Sequence, residues 1–165
     1  MVIALNKLHG ILESFTEQKG ILRLFVRLDS ISSPQRFQPT QVIAQNVESQ
    51  SHLFVLLLED SAFVSHLLHQ PLQLGFKENN IIVATELKGI HNTFRAEILK
   101  ITQDSILARL TLTSKYAENG TIDVLCALDF VEQNRLKVGD SVFWHIPENE
   151  IMLFFDTKIY NLRQQ

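Results

Sequence analysis

Residues 76–92, F-K-E-N-N-I-I-V-A-T-E-L-K-G-I-H-N, close one half of this chain and open the other. Their first part, F-K-E-N-N-I at 76–81, returns near the C-terminus as I-P-E-N-E-I at 146–151. Their last residue starts N-T-F-R-A-E-I at 92–98, which already stands at 6–12 as N-K-L-H-G-I-L. The front motif therefore recurs at an offset of 86 residues and the back motif at 70. The difference of 16 is extra chain in the first copy, and the Pro/Ser-rich stretch from Asp29 to about Gln50 accounts for it. Such an insertion belongs in a surface loop, where closure cost grows slowly with length. A repeat fixes architecture ahead of any fold assignment. The chain reads as two diverged copies of one small β unit, and the junction at 86–90 is where a ligand is expected.

Outward from that junction, period-2 alternation marks strands on both sides. Residues 21–28 place Leu22, Leu24, Val26 and Leu28 on one face and Arg23 and Arg27 on the other. Residues 106–113 and 122–128 repeat the pattern, with Ile106, Ala108, Leu110 and Leu112 and then Ile122, Val124, Cys126 and Leu128 expected inward. Residues 6–15, 53–58, 92–101 and 141–146 read as further strands, and 41–50 as an irregular edge strand. Residues 72–77 and 80–85 read as a hairpin around Glu78 and Asn79. Residues 150–155 read as the strand that closes the second copy. Short helices are expected at 62–69, capped from Glu59-Asp60-Ser61 and stopped by Pro71, and from Asp129 to Arg135. The expectation is an all-β chain of two tandem OB-like five-stranded β-barrels, each with a short helix. The first spans 1–86 with an insertion at about 29–50, and the second 90–156; a tail follows at 157–165.

Bulk properties exclude several classes. A 165-residue chain that is 45% hydrophobic can bury a core, so disorder is not expected. A net charge of −3 supplies no basic field for nucleic acid. The single Cys126 builds no disulfide framework and reads as a core thiol in a reducing compartment. No signal peptide and no run long enough to span a bilayer is evident, so a cytoplasmic, membrane-free protein is expected. His66 and His69, with His52, are the nearest approach to a metal set, and they lack an identified third ligand. No phosphate loop, zinc spacing or nucleophile elbow is present, so no enzyme is expected.

The residues that carry the repeat also carry a resemblance. Each copy starts N-x-[hydrophobic]-x-[Gly/Ala]-x-[Ile/Leu] and closes with an F-K-E-N-N-I or I-P-E-N-E-I segment, and the second adds the late turn L-K-V-G-D at 136–140. Over nearly its whole length the chain resembles the Mop/TOBE family in its tandem, di-Mop form. That resemblance implies OB-like barrels that bind molybdate or tungstate as ligand, in pockets formed between subunits of a dimer or trimer, for storage, homeostasis or sensing. The family's opening serine and arginine positions fall on Ile3 and Leu5 in the first copy and on Gly89 and His91 in the second. Its closing lysine is Lys77 in the first copy and Pro147 in the second; its Ser/Thr position is Asn79 and Asn149. The implied oxyanion-binding set is Leu5, Asn6, Lys77, Asn79, His91, Asn92 and Asn149.

The chemistry of these residues suits an oxyanion. Lys77 offers a point charge with three donors, and the asparagines offer amide N–H groups. His91 helps only when protonated, so binding through it should strengthen below about pH 6.5. Glu78 and Glu148 must turn away, as strand alternation between Lys77 and Asn79 would arrange. Other readings stand beside these: Lys77 as a solvated edge lysine, Asn79 and Asn149 as turn formers, Asn6 and Asn92 as partners of neighbouring backbone. The alternative function is a TOBE-like interaction module of a molybdate transport system that has lost its ligand.

Overall fold

A computed structural model describes residues 2–30, 51–155 and 158–160. Alternation builds its strands. In β1 (Leu5–Gln18), Asn6, Leu8, Gly10 and Leu12 face inward; in β2 (Ile21–Leu28), Leu22, Leu24, Val26 and Leu28 do; in β3 (His52–Leu58), Leu53, Val55 and Leu57 do. The second copy repeats this in β6 (Thr93–Gln103), β7 (Leu107–Thr113) and β8 (Thr121–Ala127). Between them lie β4 (Pro71–Lys77) and β5 (Ile82–Ala84); β9 (Ser141–His145), β10 (Met152–Phe155) and β11 (Lys158–Tyr160) follow β8. Short helices α1 (Ser61–Ser65) and α2 (Leu128–Gln133) sit after β3 and β8. Both long strands, β1 and β6, break register once, between Leu12 and Ser14 and between Ile98 and Lys100, positions 86 residues apart. A bulge there bends the strand so that it can serve both sides of a curled sheet.

The architecture is the all-β tandem of OB-like units expected from the repeat. One sheet runs β11-β10-β4-β1-β2-β3 and the other β5-β9-β6-β7-β8. Stripped of β11, the two orders superpose element for element at the offsets of 86 and 70. Twenty-three residues join β2 to β3 and seven join β7 to β8, a difference that equals the 16-residue excess of the first copy. The proposed edge strand at 41–50 and most of the insertion lie outside the described residues.

The sequence of strands hides an exchange. β5 follows β4 in the chain but pairs with β9 in the other sheet, Val83 opposite Trp144. β10 returns the exchange by pairing with β4, Leu153 opposite Leu74. The hairpin expected at 72–85 therefore does not form. A 3-10 turn, Glu78–Asn80, carries the chain across instead, and Glu148–Glu150 does the same in the second copy. Each sheet takes its outer strand from the other half of the chain.

Three smaller expectations are corrected. Ile106 is 73% exposed, because the strand begins one residue later. The first helix stops at Ser65 rather than His69: His69 adopts φ 63° and donates its N–H to Leu12 O, so the chain is already back on the sheet. The expected tail contributes β11, which pairs with β10. The core is continuous between the halves; the Trp144 ring stacks on Phe94 of its own unit and on Phe76 of the other. No helix among the described residues is long and apolar enough to cross a membrane.

Candidate functional site

The residues singled out by the repeat line the seam between the two units, in two related groups. At one end of β1, Asn6 is buried and trades two hydrogen bonds with the backbone of β8: its Nδ2 donates to Asp123 O (2.9 Å) and its Oδ1 accepts from Asp123 N (2.8 Å). Asn92 does the same to β3. Its Oδ1 accepts from Phe54 N (2.8 Å), and its Nδ2 donates to Phe54 O (2.9 Å) and Ile146 O (3.1 Å). Each asparagine mimics a peptide unit and sews its own unit to the third strand of the other. Asn92 holds φ 57°, a left-handed conformation that asparagine tolerates better than most residues.

The same duplication governs the glutamates. Glu78 is fully buried, and its carboxylate receives Arg109 Nε (2.8 Å) and Nη2 (2.7 Å) as well as Ala4 N–H (2.9 Å). Burial pushes this carboxyl upward, but the Arg109 hydrogen bonds, the Ala4 N–H and the Arg109 charge together outweigh it and hold the group below its ordinary value. Glu148 meets Arg23 (2.7 Å) in a more open pair, with the guanidinium of Arg23 stacked 3.9 Å above the Phe54 ring. Glu78 thus turns away from Lys77 and Asn79 as required, through a 3-10 turn rather than strand alternation. The alternation at 21–28 put Arg23 on the outward face but gave it no partner, and Arg109 did not stand out. A signal was present: Arg23 and Arg109 stand 86 residues apart, each third in its strand.

Of the expected oxyanion set, Leu5 and Lys77 are directly opposed on β1 and β4 and both exposed, with Asn6 and the exposed Asn79 adjoining them. His91 and Asn92 both meet Phe54: the His91 ring lies 4.6 Å from the Phe54 ring, and its carbonyl accepts from His145 Nδ1 (2.8 Å). The turn bearing the exposed Asn149 packs on the same strand, β3. So the set divides into one group per end of the seam. In each, a buried asparagine has its amide committed to backbone while the exposed donors remain open.

Beside the junction lies a cleft of about 760 Å³. Residues 87–90 form one wall, the outer faces of β6 and β9 the floor, and Ser114, Lys115 and Tyr116 the far wall. No three His, Cys, Asp or Glu side chains among the described residues converge as a metal site would need. Cys126 is half-buried, and desolvation, with Asp129 nearby, pushes its thiol up to about 11, so it stays protonated and unreactive at neutral pH.

No protein-family model matches the chain, and no curated protein matches it in sequence. Among solved structures, the fold is similar to that of ModG, a cytoplasmic molybdate-binding protein crystallised with molybdate bound. The TM-score is 0.69 over 90% of this chain and 94% of that one, at 15% sequence identity.

Proposed function

We propose that this protein reversibly binds a tetrahedral oxyanion, molybdate or tungstate, for intracellular storage, homeostasis or sensing. The observation that supports it most is that a molybdate-binding protein shares the fold over nine-tenths of the chain. The placement of Lys77 adds to this. Lys77 is exposed at the end of β4, has no carboxylate partner among the described residues, and adjoins the amide of Asn79. The carboxylate between them, Glu78, is neutralised by Arg109 and does not repel an anion. Lys77 supplies the charge, and Asn79 with nearby backbone N–H groups supplies directed donors. His91 and Asn149 play the weaker, second part. The site is completed by another copy of the chain in a dimer or trimer, so ligand stabilises the assembly by mass action. Binding involves no covalent step, and the protein works in the cytoplasm.

Isothermal titration with molybdate, tungstate and sulfate tests this reading. Heat with the first two is expected, and Lys77→Ala should weaken it about tenfold. No heat with any oxyanion would overturn the binding function. One observation favours a second reading, an interaction module of a molybdate transport system that has lost its ligand. Leu5 occupies the family's arginine position, and both buried asparagines spend their amides on the seam. Retained binding to a transporter component without oxyanion heat would select it.

A further inference from the structure

We infer that the cleft beside residues 87–90 is a separate binding site for a flat organic anion, with its charged head on Arg95, Lys115 and Tyr116 and its apolar body along Phe143. Size comes first. At about 760 Å³ the cleft lies within the range of small-molecule pockets and far exceeds what a bare tetrahedral oxyanion fills. Polarity comes second. Arg95 points from the outer face of β6, directly opposite Phe143 on β9, so a guanidinium and an aromatic ring share one floor. Neither Arg95 nor Lys115 has a carboxylate partner among the described residues. Glu97 is the one acid in the lining, and Lys88 is offset by Glu86 (2.6 Å), which leaves a net positive cleft.

Tyr116 gives the independent sign. It is only 7% exposed and makes no hydrogen bond, yet no buried side-chain polar atom among the described residues lacks a partner. Its hydroxyl therefore keeps some exposure, in a side chain that lines the cleft. Lys115 Nζ lies over the Tyr116 ring, 5.1 Å from its centroid, and Arg95 lines the same cleft, so two cations without carboxylate partners and an unpartnered hydroxyl are available to an anion head. A guanidinium takes a carboxylate with two parallel hydrogen bonds, and a ring beside it takes the flat body.

The test uses 1-naphthoate as the probe and follows backbone amide shifts of the full chain by NMR. Shifts should concentrate at Gly89, 93–97 and 114–116, and excess molybdate should not displace the probe. Arg95→Gln should weaken binding about tenfold, the share of a charged hydrogen-bond pair, with an unchanged fold by its amide spectrum. Neutral 1-naphthalenemethanol should bind at least as weakly. Equal binding by the alcohol, wild-type affinity in both Arg95→Gln and Lys115→Gln, or displacement by molybdate would each overturn the assignment. The last leaves the oxyanion reading untouched, and loss of that reading leaves this one untouched.

Discussion

Asn80 and Glu150 occupy the same position in the two copies of the repeat, and they touch: Asn80 Nδ2 donates to Glu150 Oε2 at 2.9 Å. A residue that meets its own counterpart marks a twofold axis, the signature of an isologous interface. Around that axis the seam is written twice, as Asn6 with Asp123 and Asn92 with Phe54, and as Glu78 with Arg109 and Glu148 with Arg23. The chain is a covalent dimer of its own repeat.

Asn92→Ala should destabilise the fold by about 2–4 kcal/mol. It strands Phe54 N–H and two carbonyls and puts a Cβ residue at φ 57° without the amide that makes this tolerable. Asn6→Ala, with two bonds lost, should cost less, about 1–3 kcal/mol. Urea unfolding checks the order; a neutral Asn92→Ala would sink the peptide-mimic role.

The two ion pairs should differ in weight. Removing Arg109 leaves a fully buried carboxylate without its cation, which costs about 3–5 kcal/mol. Removing Arg23 exposes an already accessible Glu148, worth about 1 kcal/mol or less. Paired denaturation curves for Arg109→Ala and Arg23→Ala read the difference directly.

Acid should act through Glu78. Its carboxyl titrates lower in the folded chain than in the unfolded one, so ionisation stabilises the fold. That contribution is complete above the ordinary glutamate value and is lost as pH falls through the lowered one. Melting temperature should therefore drop below about pH 4.5, and Glu78→Gln should start lower at neutral pH but fall less steeply.

Gly75 should prove specific for the strand exchange. A Cβ there would collide with the Phe154 ring, which β10 lays across β4. Gly75→Ala should therefore be destabilising by about 1–3 kcal/mol, and Phe154→Ala in the same chain should remove most of that added cost. Full additivity in the double-mutant cycle would mean that β10 does not cover Gly75.

The repeat, the strands and the size of the insertion were legible because each is a local or one-dimensional property. Ile82–Ala84 and Met152–Phe155 looked like strands and are strands. Which sheet each joins was not legible, since an apolar strand carries no address; the 3-10 turns that redirect the chain supply it. Asn6 and Asn92 stood out by recurrence, but sequence left open whether their amides face a ligand or a backbone. Their environment at the seam, set by strands more than 35 residues away, decides for the backbone. The cleft was not legible, because its walls converge from three separate segments.

The exchange of β5 and β10 also sets an order of assembly on a chain that emerges from its N-terminus. The second sheet has every strand once His145 is made, since β5 was made long before. The first sheet waits for Met152–Phe155, and until then the free edge of β4 stands open. The half that is synthesised last is thus the first that can close. Limited proteolysis of released chains truncated near residue 150 should find the second unit protected while the first is still cut.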